Sequence, residues 1–116
     1  MSFSGEYIKE CIEICHSIDS DEIEKMASLI NSIRSNNGRI FFLGVGGGAG
    51  HASHAVNDFR KICNIESYAP TDNVSELTAR VNDDGWDTVF QSWLATCLLY
   101  TSDAADEGLG VDLGGR

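Results

Sequence analysis

The chain lacks any apolar run long enough to cross a bilayer. Its longest, Ile40 to Leu43 followed by Gly44 and Val45, falls far short of the ~20 residues a membrane helix needs. The N-terminus also lacks the basic-then-apolar order of a secretory signal, so a cytoplasmic location and no membrane partner are expected. Cysteines in CxxC spacing are absent too. Cys11, Cys15, Cys63 and Cys97 stand apart, and the four-residue step from Cys11 to Cys15 puts both on one side of a helix, where they would face a core. Basic residues are scarce, with 8 Lys and Arg against 18 Asp and Glu, a formal charge of -10. Nucleic acid, which needs clustered Lys and Arg, is therefore not expected as a partner. A phosphorylated small molecule is not excluded by charge, because backbone N–H groups can hold its anion.

What is present fits one modest globular domain: 116 residues, 42% apolar and 22% charged. Two amphipathic helices open it, one with Tyr7, Cys11, Ile14 and Ile18 on a stripe, the other with Ile23, Met26, Ala27, Ile30 and Ile33. Asp19 to Glu22 supplies N-cap candidates between them, and Asn36-Asn37-Gly38 is a helix stop. Arg39 to Leu43 suits a strand buried on both faces of a parallel sheet. A glycine-rich turn follows, then a helix from about Gly50 carrying Ala52, Ala55, Val56, Phe59 and Ile62. A second strand is expected at Ser67 to Ala69, a short helix capped by Pro70 to Asn73 through Leu77, and a turn at Asn82 to Gly85. A last apolar face is formed by Trp86, Val89, Phe90, Trp93 and Leu94.

This order is the beginning of an α/β fold, a doubly wound parallel sheet preceded by two helices. Two strands do not finish such a sheet, which usually has about five or six. The expected divisions are residues 1–37 for the leading helices, 38–96 for the first part of the α/β domain, and 97–116 for a tail of different character. Cys97 to Glu107, and again Gly110 to Arg116, resemble in frame the forward translation of a transposon-type sequencing-library adaptor. The tail is accordingly expected to be non-native and the natural protein to continue past Thr96. Through Thr96 seven Lys and Arg meet fourteen Asp and Glu, so the chain stays acidic at -7.

Chemistry is suggested at one place. Gly44-Val45-Gly46-Gly47-Gly48-Ala49-Gly50, after a strand and opening a helix, allows backbone N–H groups to approach an anion, and Gly44, Gly46 and Ala49 also fit the dinucleotide fingerprint in its GxGxxA form. Downstream, His51, His54 and Asp58 share one helical face. The four-residue step from His54 to Asp58 suits a divalent metal, or a carboxylate base beside an imidazole that polarises an oxygen; it also suits an ordinary solvated face.

The segment GVGGGAGHASHAVNDF, Gly44 to Phe59, resembles the strand, glycine loop and helix of the phosphoheptose isomerases in the sugar isomerase (SIS) family. Asn73-Val74-Ser75 and Asn82-Asp83-Asp84-Gly85-Trp86, ending in Val89-Phe90, are similar to that family's Asp-Val-Ser and Asn-Asp-aromatic-Gly-aromatic stretches. With the leading helices the resemblance runs from Met1 to about Leu94. It implies a flavodoxin-like SIS fold and a homotetrameric parent. The implied activity is aldose–ketose isomerisation of sedoheptulose 7-phosphate to a heptose 7-phosphate, often with zinc, on the route to surface heptose sugars such as those of lipopolysaccharide. By the same resemblance His54 and Asp58 are metal ligands and Asp58 the catalytic base, and Gly46, Gly47, Gly48 and Asp83 bind the sugar phosphate. The sequence departs from the family at Val45, Gly48 and Asp58, which stand for Asn, Ser and Glu. Two side-chain donors are thereby lost, and the base is one methylene shorter. A non-catalytic or regulatory SIS module that binds a sugar phosphate is the alternative. A nucleotide-binding Rossmann protein is a more distant one, with only Glu66 or Asp72 near the place of the ribose-binding acid. The polypeptide as it stands is expected to be inactive and poorly folded.

Overall fold

A computed structural model describes residues 2–97; the expectation for the tail after Cys97 lies outside them. The chain divides into two compact units, the first ending at Asn36 and the second starting at Asn37.

The first unit holds α1 (Phe3–Ser17) and α2 (Ser20–Ser35). Ser2 caps α1 by accepting from the Gly5 N–H at 3.2 Å, and Asp19 caps α2 by accepting from the Asp21 N–H at 2.9 Å. Asn37, left-handed at φ 53°, marks the stop after α2. The apolar stripes form as expected, but no residue of either helix is buried, and Phe3, Tyr7, Ile14 and Ile18 are all exposed. Cys15 is likewise exposed and Cys11 half-buried, so these thiols do not sit in a core among the described residues.

In the second unit β1 (Arg39–Phe41) pairs in parallel with β2 (Glu66–Tyr68), with Ile40 opposite Ser67. α3 (Gly47–Lys61) connects them. Alternation along β1 sorts its aromatic residues between two faces. Phe41 meets Trp93 edge-on at 5.8 Å and stacks with its register partner Tyr68 at 6.0 Å, while Phe42, just beyond the strand, meets Phe59 of α3 at 5.1 Å. Trp93 belongs to α5 (Val89–Cys97), so α3 and α5 cover opposite faces of the ribbon. Helices on both sides of parallel strands are an α/β arrangement, here with a two-stranded sheet and mostly helical content. The fully buried core is small: Ala52, Ile65, Ser67, Ala69, Pro70 and Val89.

Three boundaries differ from those expected. β1 stops at Phe41 and is only half-buried, because one neighbouring strand shields less of it than two would. α3 starts inside the glycine run rather than at Gly50. A 3-10 turn (Pro70–Asp72) leads into α4 (Val74–Asp84), which runs well past Leu77 and takes Asn82-Asp83-Asp84 into its last turn. Asn73 caps α4 by accepting from the Glu76 N–H at 3.1 Å. Arg80 then donates twice to one Glu76 oxygen, at 2.9 and 3.1 Å, a half-buried pair one turn apart that favours continuing the helix. Gly85, at φ 86°, ends α4 and opens a second 3-10 turn (Trp86–Thr88).

Candidate functional site

The glycine loop is shaped by two positions. A Cβ on Gly44 would lie 2.2 Å from the Gly48 carbonyl oxygen and 2.7 Å from the Ala49 nitrogen, so the strand end and the helix start can touch only through a bare Cα. Gly46, at φ 59° and ψ -121°, takes a conformation that L side chains rarely adopt and forms the N-cap of α3. Cβ atoms at Gly47, Gly48 and Gly50 would meet nothing.

Tightening of this first turn uses up donors. The Gly48 N–H bonds to the Val45 carbonyl at 3.0 Å, Ala49 to Gly46 at 3.1 Å and Gly50 to Gly46 at 3.2 Å. Gly48 therefore offers a ligand no free N–H. Among the described residues the Gly46 and Gly47 amides have no acceptor, and they lie at the positive end of a 15-residue helix. The loop can hold an anion through those two groups.

His54 and Asp58 meet as their spacing requires, with Nε2 and Oδ2 3.2 Å apart. Asn57 donates to the other carboxylate oxygen at 3.3 Å. From Gly47, His54 lies about 10 Å along the helix axis and Asp58 about 16 Å, at 1.5 Å rise per residue. Helical side chains lean towards the N-terminus, and the contact with His54 brings the Asp58 carboxylate back by about a turn. In an extended seven-carbon ketose phosphate, with bonds of about 1.5 Å, roughly 9 Å separates phosphorus from C2. An anion on the loop amides would thus bring the carbonyl end of such a molecule close to His54 and Asp58. The pair is open to solvent, with side chains 75% and 43% exposed.

Two donors on one helix are fewer than the three or four of a zinc site. Among the described residues no group of three or more His, Cys, Asp and Glu side chains assembles, and His51 does not complete one. The residues present do not by themselves make a metal centre. Asp83 is not brought to the loop either. It sits in the last turn of α4, where Asn82 donates to it at 2.9 Å, and no hydrogen bond or ion pair among the described residues joins it to α3. Glu66 bonds the Tyr68 hydroxyl at 2.8 Å, while Asp72 lines a groove of about 500 Å³ with Arg60, Tyr68, Asn73 and Trp93. Neither the glycine loop nor the His54–Asp58 pair borders that groove. No spacing rule singles out Arg60.

No helix among the described residues is long and apolar enough to cross a membrane. Compared with protein-family models, curated proteins and solved structures, the chain matches none of them.

Proposed function

We propose that this chain is the first part of a phosphosugar aldose–ketose isomerase of the SIS type, acting on a seven-carbon ketose phosphate such as sedoheptulose 7-phosphate. One observation carries this reading: a helix that begins in a glycine loop with two free amides and carries, at a distance suited to that substrate, a carboxylate in contact with an imidazole. The loop amides would hold the phosphate. Asp58 would take the proton from C1 of the ketose and return it to C2, and His54 would donate to the oxygen that becomes negative in the enediol. No step is assigned to a metal.

Solvent exposure of the pair weakens such chemistry, since both groups act best where water is excluded. Included in the proposal, therefore, is that the natural protein continues past Thr96 into the remaining strands and covers this face. The test is isomerisation of sedoheptulose 7-phosphate by that longer protein beside its Asp58→Ala variant. Turnover lost in the variant supports the enzyme and its base. Sugar-phosphate binding without turnover, together with the missing side chains at Val45 and Gly48, would instead favour the regulatory module.

A further inference from the structure

We infer that Arg60 guards the outer edge of β2 and closes it to strand addition. The ladder bond from the Phe42 N–H to the Tyr68 carbonyl, 2.8 Å, fixes which groups of β2 face β1. Alternation then turns the N–H and carbonyl of Ser67 to the opposite, unpaired side. Such an edge is a template for another strand, and proteins commonly block it with a charged side chain. Arg60, one turn before the end of the helix that packs on β2, reaches over this edge. Its guanidinium donates to the Ser67 carbonyl at 3.3 Å and lies 5.6 Å from the Tyr68 ring centroid. The stem crosses the path an incoming strand would follow, and the charge occupies the acceptor that strand would use.

The groove of about 500 Å³ runs past the same edge, lined by Val56, Arg60, Tyr68, Ala69, Asn73 and Trp93. It leaves room for the side chains of an extended segment once the guanidinium is gone. The occupant to which the uncovered edge is open is β2 of a second copy of this chain, whose own outer edge offers the same unpaired groups.

The test uses the whole 116-residue chain and a fluorescent peptide copying residues 64–69, followed by anisotropy. Arg60→Ala is expected to bind the peptide about tenfold more tightly than the wild type, the scale of one charge-assisted hydrogen bond. A peptide with proline in place of Ser67 cannot donate to the ladder and is expected not to bind. Arg60→Lys keeps stem and charge but loses the planar fork; it is expected to bind more tightly than wild type, so the test stands if Arg60→Ala fails to fold. Equal affinity of the wild type and both variants, or equal binding of the proline peptide, would overturn the inference.

Discussion

Adding one methyl group to Gly44 should loosen α3 from the strand before it. The new Cβ would lie 2.2 Å from the Gly48 oxygen and 2.3 Å from its carbonyl carbon, where van der Waals contact needs about 3.5 Å or more. Both atoms are backbone, so no rotamer change relieves the overlap, and the loop must move by about an ångström. Overpacking costs about 1–3 kcal/mol, and a backbone partner places this case at the upper end. At 1.4 kcal/mol per factor of ten, 2.8 kcal/mol corresponds to roughly 100-fold faster amide exchange through local opening of α3. Gly48→Ala is the matched control. Its Cβ meets nothing, and Ala in a helix is worth about 0.5–1 kcal/mol over Gly, so the same amides should exchange about two- to fivefold more slowly. Exchange followed by NMR or mass spectrometry reports local opening whether or not the whole chain melts cooperatively. If the two variants change protection by the same amount, or in the reverse order, the close approach at Gly44 is not what seats the helix.

The 116-residue chain by itself should show no cooperative thermal transition and no sugar-phosphate isomerase activity, because α1 and α2 bury no residue; a sharp calorimetric peak would count against this. Equilibrium dialysis of this chain should find no tightly held stoichiometric zinc, since His54 and Asp58 supply two donors; retention at micromolar zinc that is lost in His54→Ala would refute it. The hydrogen bond to Glu66 first, then burial and the charge of Glu66, hold the Tyr68 phenol above its ordinary value of 10.0, with Arg60 opposing. Its contribution to stability is therefore full below pH ~10 and lost as pH rises through the elevated value. Ultraviolet titration should show Glu66→Gln lowering the ionisation of Tyr68, and no change would sink the assignment. Arg80→Ala should destabilise α4 by about 0.5–1 kcal/mol through the lost half-buried pair, read as faster exchange of α4 amides than in an exposed Lys9→Ala control.

Local chemistry in the sequence goes far in this protein where neighbours in the chain decide the structure. The run from Arg39 through the glycine loop to Phe59 reads as strand, loop and helix because each step depends on adjacent residues. The His54–Asp58 contact follows from a four-residue step on a helix. Asn82-Asp83-Asp84-Gly85 is different: its composition reads as a turn, yet the Asn73 cap and the Glu76–Arg80 pair carry the helix through it, and only Gly85 acts as the stop. β1 is shorter and less buried than its apolar run suggests, since burial depends on neighbouring strands and not on the run itself. Loss of the Gly48 amide to an internal bond was hidden for a related reason: glycine count does not reveal how tightly a loop closes. Arg60 is invisible by spacing because its partners, Ser67 and Tyr68, come from a strand whose edge is defined only by pairing.

The assignment of Phe41 and Phe42 to opposite helices makes β1 a ratchet with a two-residue tooth. Sliding it by one residue would send the ring meant for Trp93 towards Phe59 and the other ring the opposite way, emptying both contacts at once. Intermediate alignments have nothing to hold them, and a two-residue slide would carry Gly44 or Arg39 into the place of an aromatic ring. Adjacent phenylalanines thus encode the phase of the strand against its two helical layers, a constraint that a three-residue hydrogen-bond ladder is too short to impose alone.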